Sequence, residues 1–331
     1  MTKAGTRPGT RIGLPLICMG LALALGIAPA ASADWPEKPI RIVVPYGPGG
    51  GVDSFTRPLA ANLQSLLGQS VIVDNRGGAG GTIGVLNAAR SPTDGYTLLS
   101  RGVHQPMAEV LYPNRGYQID KDFEPVAITA VVPNVLVVNP AAGLDDLSTL
   151  IKRARAAPDS LTYCSSGSGT SQHIIAEMFL RETGLRILHV PYRGTAAAMN
   201  DLLAGNCQMM FDGMGTSAAH IAAGRLKPLA LTVLRRSPLF LDIPTMEEAG
   251  GPRLDAGTWY ALWVRQGTPQ PVLERLRRDV KTALAGPDLV KIWQQLGAEP
   301  GTVPDAKLDA FVKEETARWS ALATSLGVRA D

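Results

Sequence analysis

From Ile40 onward the chain alternates between two hydrophobic patterns. Short uninterrupted apolar runs, such as Ile40-Arg41-Ile42-Val43-Val44 and Val71-Ile72-Val73, are followed by glycine loops and then by segments with apolar residues at helical spacing. Runs of the first kind read as strands buried on both faces, as in a parallel sheet. After Gly47-Pro48-Gly49-Gly50-Gly51, the residues Phe55, Leu59, Leu63 and Leu66 mark a helix that Gly68 ends as a C′ glycine. Pro58 inside it predicts an irregular first turn or a late start. The unit repeats at once, with a loop over 76–81, a helix over 82–90 stopped by Ser91-Pro92, and a strand over 96–99.

Two apolar stretches between Phe123 and Val138 are broken at Pro133-Asn134, and Val135–Val138 reads as the crossover into a second domain. There the pattern predicts helices over 147–156, 171–182, 196–203 and 218–223, and strands over 161–164, 187–191 and 208–211. Residues 229–234 cross back. A strand over 259–264, a helix with Val272, Leu273, Leu276, Val280 and Leu284, and a last helix with Leu308, Phe311, Val312 and Trp319 then dock on the first core. The expected architecture is α/β with two lobes: a discontinuous lobe of 34–134 and 230–331, and a second lobe of 135–229. A chain of this length exceeds one comfortable core.

The first 33 residues read as an export signal. Lys3, Arg7 and Arg11 precede an apolar run from Ile12 to Ile27, and Ala31-Ser32-Ala33 ends in a small-x-small cleavage pattern. The run is short for a membrane span, although an uncleaved anchor is the alternative. Cys18 lacks the small residue before it that a lipidated cysteine follows. Cleavage after Ala33 would start the mature chain at Asp34. The leader also changes the charge picture. The chain carries 32 bases and 29 acids, and the leader holds three bases and no acid, so 32 − 3 = 29 bases balance 29 acids in the rest. A neutral surface argues against nucleic acid or an anionic membrane as partner. Cys164 and Cys207 are compatible with a disulfide in an oxidising compartment, but they read as lying at opposite ends of parallel strands, so the pairing stays open.

Four loops share one design. Gly47–Gly51, Gly77–Gly81, Ser165–Thr170 and Arg193–Thr195 each follow a strand and open a helix. A helix N-terminus exposes unpaired N–H groups and partial positive charge, and binds anions without a cationic side chain. Glycine also serves βα turns for geometry alone, most plainly in the Arg193 loop. No cofactor is implied: the glycine loops fail the dinucleotide fingerprint at Val52 and Ile83 and lack the Lys-Ser/Thr of a phosphate-binding loop. His104, His173, His189 and His220 show no metal-ligand spacing. A hydrolase triad of Ser168, His173 and Asp212 can be drawn, but His173 follows Ser168 by five residues and reads better as a brace for its loop. Asp53 reads as an N-cap of its own helix. His104, just past a strand, is placed at the presumed cleft edge, and Asp212 either meets ligand or orients the Ser166 loop.

Ordered motifs run through nearly all of the mature part: Trp35-Pro36-Glu37-Lys38-Pro39, Val44-Pro45-Tyr46-Gly47-Pro48-Gly49-Gly50, Asp74-Asn75-Arg76 with Gly78-Ala79-Gly80-Gly81, Asp94-Gly95-Tyr96-Thr97-Leu98, Ser166-Gly167-Ser168-Gly169-Thr170 with His173, His189-Val190-Pro191-Tyr192, and Phe211-Asp212. With these the chain resembles the tripartite tricarboxylate transporter substrate-binding family, the Bug or TctC-type periplasmic receptors. The resemblance implies a periplasmic-binding-protein-like (type II) Venus flytrap with a two-strand hinge. It implies a monomeric receptor, not an enzyme, that takes a small organic carboxylate to a membrane permease. A receptor serving a membrane histidine kinase would keep the same fold. Carried over by position, the ligand contacts are Tyr46, Pro48, Gly49, Gly50, Gly78, Ala79, Gly80, Gly81, Ser166, Ser168, Gly169, Thr170 and Asp212; Asp53, His104 and His173 join them from the reading of the residues. Thr56-Arg57-Pro58, Asn75-Arg76-Gly77 and the two cysteines depart from the family pattern. Arg101 and His104 fall in a stretch that varies with ligand. His104, Met107 and Met214 are expected to make the distal wall partly apolar, favouring an aromatic or longer-chain acid over citrate.

Overall fold

The computed structural model describes residues 35–103 and 105–327, besides Met1 and Gly5. The cleavage pattern and apolar run of the leader, and His104, lie outside the described residues. The chain divides into Met1–Trp35 and a compact unit, Pro36–Asp331, whose fold follows.

Two mixed sheets organise this unit. The first contains β1 (Ile40–Val44), β2 (Val71–Asn75), β3 (Thr97–Gly102), β4 (Phe123–Val132), and, from the C-terminal part, β10 (Thr258–Arg265) and β11 (Glu299–Pro300), in the order β11-β4-β10-β3-β1-β2. The second contains β5 (Asn134–Val138), β6 (Thr162–Ser165), β7 (Leu188–Pro191), β8 (Met209–Gly213) and β9 (Lys227–Leu231), in the order β7-β6-β8-β5-β9. The helices are α1 (Gly51–Leu67), α2 (Thr82–Ala89), α3 (Gln105–Leu111), the single turn α4 (Ile119–Asp122), α5 (Leu147–Ala156), α6 (Ser171–Thr183), α7 (Thr195–Ala204), α8 (Met214–Ala222), α9 (Gln270–Ala285), α10 (Pro287–Gln295) and α11 (Asp305–Ser325). None of the described helices is long and apolar enough to cross a membrane.

The apolar runs are strands for the expected reason: Ile40, Ile42, Val43 and Val44 are all fully buried between β2 and β3. The wholly parallel sheet is not. β10 runs antiparallel to both β3 and β4, and β5 antiparallel to β8 and β9. These strands return from or lead into the other sheet, so their direction follows from connectivity and not from hydrophobic pattern. α1 is also continuous through Pro58. The proline costs one backbone bond without stopping a helix whose buried face holds Phe55, Leu59 and Leu63.

Pro133, which has no N–H to offer a ladder, separates β4 from β5 and lets the chain change sheets. The outgoing and returning connections are laced together there. The Asn134 side-chain amide donates to the Ala256 carbonyl (2.6 Å) and the Thr258 hydroxyl (2.9 Å). Thr232 N–H donates to the Asn134 carbonyl (2.9 Å), and Ala256 N–H to the Thr232 carbonyl (2.7 Å). In the second sheet Cys164 and Cys207 form a disulfide with Cα atoms 6.1 Å apart. The ladder register alone would set Cys164 opposite Met210; Cys207 meets it because it lies before β8, in the bend that follows α7.

Candidate functional site

A cavity of about 250 Å³ opens at the carboxyl ends of β1, β6, β7 and β8. This is where open α/β sheets bind ligands. Four helices begin on it. Their N-cap residues, Gly50 of α1, Thr170 of α6, Gly194 of α7 and Gly213 of α8, all line the cavity, and none makes a side-chain capping hydrogen bond. Four positive helix ends, with first-turn N–H groups that no cap side chain takes, therefore converge on one small volume. Arg193 adds a cation to the lining.

The walls are held by buried networks. Asp53 sits in the first turn of α1, past the cap, and turns back onto the loop, accepting from Gly49 N–H (2.9 Å), Arg57 (2.8 Å) and the Asn75 amide (2.9 Å). Burial would raise its pKa, but the Arg57, Gly49 and Asn75 hydrogen bonds outweigh that and hold the carboxyl below the usual range. In the other lobe, Ser166 N–H donates to Gln172 Oε1 (2.6 Å), whose Nε2 donates to Asp212 Oδ1 (2.7 Å). The hydroxyls of Thr216 and Ser217 donate to Asp212 Oδ2. Burial still raises the Asp212 pKa, against these donors. Asp212 thus ties the starts of α6 and α8 together and, through Gln172, orients the Ser166 loop. His173 accepts Gly169 N–H on Nδ1 (3.1 Å) and stacks on His189 at 3.9 Å, while His189 Nε2 bonds the Ser165 hydroxyl (2.7 Å). The Asp212 carboxylate is engaged by Gln172, Thr216 and Ser217, and His173 Nδ1, the atom a triad acid would hold, accepts from Gly169 instead.

Of the residues expected from sequence, Tyr46, Pro48, Gly50, Ser166, Thr170 and Asp212 line the cavity. Gly49 lies in an adjoining depression beside Thr195 and Ala196. Asp53, Ser168, Gly169 and His173 are not on the lining; Asp53 and the Gly169–His173 pair brace loops that are. Gly78, Ala79, Gly80 and Gly81 are not on it. Their loop packs on Tyr46, whose hydroxyl donates to the Gly80 carbonyl (3.4 Å), and a Cβ at Gly80 would come 2.9 Å from the Tyr112 ring. Met107 and Met214 are fully buried and do not line the cavity, so the apolar distal wall expected of them is not there. Sequence reasoning missed Asn134, Gln172, Gly213, Thr258 and Tyr260. Only Gly213 carried a signal, as a glycine between a strand and a helix.

The sequence profile of the tripartite tricarboxylate transporter family receptors matches residues 55–328. The chain belongs to this family. Protein BugT of Bordetella pertussis is 36% identical over 318 residues, covering 95% of this chain and 98% of BugT. The solved structure of the periplasmic binding protein BugD superposes with a TM-score of 0.84 at 35% identity, covering 90% of this chain and all of BugD. An R. palustris protein solved with adipate gives 0.85 at 33% identity, over 90% of this chain and all of that one. The two lobes are those of a type II periplasmic binding protein. The family consists of periplasmic solute-binding receptors, and this member is a receptor, not an enzyme.

Proposed function

We propose that this receptor is exported, captures a small organic carboxylate in the 250 Å³ cavity, and delivers it to a membrane permease of the tripartite tricarboxylate type. One observation carries the reading: four helix N-termini without side-chain caps, one from the first sheet and three from the second, face a single cavity. A carboxylate there satisfies N–H groups of both lobes at once, and so favours closure. Binding of adipate by the R. palustris relative supports the ligand class. In this reading the leader is cleaved after Ala33, and the mature monomer has one lobe of 34–134 and 230–331 and another of 135–229. Ligand contacts come from Tyr46, Pro48, Gly50, Ser166, Thr170 and Asp212, joined by Arg193 and Tyr260.

The test is isothermal calorimetry of the mature protein against mono-, di- and tricarboxylates, beside mass spectrometry of whatever acid survives gentle purification. At least one carboxylate should bind in the micromolar range or tighter, and uncharged amides of the same acids should not. Equal binding of acid and amide would remove the anion site.

A further inference from the structure

Two stacked imidazoles hold one loop of the candidate site. The loop over Ser165–Thr170 leaves β6, opens α6, and puts Ser166 and Thr170 on the cavity lining. His189 of β7 holds its start: Nε2 bonds the Ser165 hydroxyl at 2.7 Å, and that oxygen takes Gly167 N–H at 3.2 Å. His173, in the first turn of α6, holds its end, because Nδ1 takes Gly169 N–H at 3.1 Å. The two imidazole rings lie 3.9 Å apart, and the Tyr163 ring stacks on His189 at 4.7 Å. This geometry fixes the proton on His173. A backbone N–H only donates, so Nδ1 presents its lone pair, and the neutral ring carries its one proton on Nε2. That nitrogen lies 3.8 Å from Glu177 Oε1, which also accepts from the Tyr163 hydroxyl at 2.5 Å. A second proton has only Nδ1 to go to, where it would point at Gly169 N–H. A charged His173 and its brace to Gly169 therefore exclude each other.

The titratable groups set against His173 among the described residues are Glu177 from its own helix, His189 from β7 and Tyr163 from β6. Asp212 of β8 is occupied by Gln172, Thr216 and Ser217, and α3 presents the apolar Leu111 at Gly169. Glu177 favours the charged ring. The stacked His189, which shields it from water, and the positive end of α6 oppose it. Imidazole is the side chain that ordinarily changes charge between about pH 5 and 8. We propose that His173 is a positioning residue that holds the Ser165–Thr170 loop only while its ring is neutral, so that proton uptake at Nδ1 loosens the loop and weakens anion binding in the cavity. This rests on the carboxylate-receptor reading and adds to it a release of ligand by acid. His173 is not on the lining, so it acts through the loop and not by contact with ligand.

Asparagine separates the acceptor from the proton: its Oδ1 stands near the place of an imidazole Nδ1 and accepts the same N–H, but takes up no proton in this range. Wild type, His173→Asn and His173→Phe are compared at about pH 7.5 and about pH 5.5, either side of the ordinary imidazole midpoint. Amide hydrogen exchange at Gly169 is read in ligand-free protein, corrected for the intrinsic pH dependence of exchange, and adipate is titrated calorimetrically. At the lower pH, wild type should lose protection at Gly169 and bind adipate about fivefold more weakly relative to His173→Asn, the worth of one hydrogen bond. Protonation of adipate itself is common to both proteins and cancels in that ratio. His173→Asn should rescue the affinity at the higher pH that His173→Phe loses. The proposal is overturned if wild type and His173→Asn give parallel pH profiles, if wild type binds more tightly in acid, or if His173→Asn is already loose at the higher pH. Should adipate not bind wild type, exchange at Gly169 decides alone, and failure of every carboxylate to bind counts against the receptor reading instead. If His173→Phe does not fold, wild type against His173→Asn decides.

Discussion

Single side chains in this receptor hold distant segments by saturating one partly buried acid with several donors. Glu315 on α11 accepts from the indoles of Trp259 (3.0 Å) and Trp319 (3.2 Å) and from Arg318 at both oxygens (2.8 and 3.0 Å). Partial burial alone would raise its pKa; Arg318 and the two indoles reverse that and hold it below the usual carboxylate range. The sign follows from linkage. A carboxyl with a depressed folded pKa stabilises the fold above its unfolded pKa, and that contribution disappears as pH falls through the folded value. Urea unfolding should therefore show wild type losing stability below about pH 4.5, the ordinary glutamate range, more steeply than Glu315→Gln does. At pH 7 the variant should be less stable by about 1–3 kcal/mol, the cost of weakened partners to buried donors. Parallel acid profiles would show that α11 is held by packing alone.

At the scale of elements, the disulfide ties β6 to the approach of β8, the two strands whose ends open onto the cavity loops of α6 and α8. It closes a sequence separation of 43 residues, for which chain entropy gives about 4 kcal/mol of stabilisation. Cys164→Ala with Cys207→Ala, or reduction under denaturing conditions, should lower the midpoint by several degrees while leaving ligand affinity nearly unchanged, since neither cysteine touches the cavity. Loss of binding at a temperature where the variant remains folded would show that the bond also shapes the site. The strand-loop-helix units of both lobes were legible in the sequence because continuous apolar runs and helical stripes report burial locally. The loop at Gly77–Gly81 was legible as a glycine loop but not as a packing device. Glycines that approach a ligand and glycines that let Tyr46, Ala108 and Tyr112 approach the backbone look alike until the neighbours are known. Tyr260 and Thr258 were invisible as cavity residues because an antiparallel strand more than 150 residues downstream brings them there, and strand pairing leaves no trace in periodicity. The cysteine pair was undecided because the bend before β8, which leaves no trace in hydrophobic pattern, is what carries Cys207 back to Cys164.

At the scale of the molecule, the loops that open helices in one lobe already meet those of the other. A methyl group on Gly50 would lie 3.6 Å from the Thr195 hydroxyl, and one on Gly49 3.9 Å from the Ala196 Cβ. Gly169 likewise leaves room for Leu111 to abut it. Contacts of this kind are small, and like-charged helix ends brought together oppose them. An anion between the ends reverses the sign of that electrostatic term, so closure should depend on ligand while the laced segment at Asn134, Thr232, Ala256 and Thr258 serves as the hinge. Carboxylate at a hundredfold excess over its dissociation constant should add about 2.7 kcal/mol to the free energy of unfolding by mass action, and raise the melting temperature accordingly. Small-angle scattering should show the radius of gyration falling on the same titration, with a midpoint matching calorimetry. A stabilised protein of unchanged radius would mean that the cleft is closed before the ligand arrives, and that the hinge has no part in selecting it.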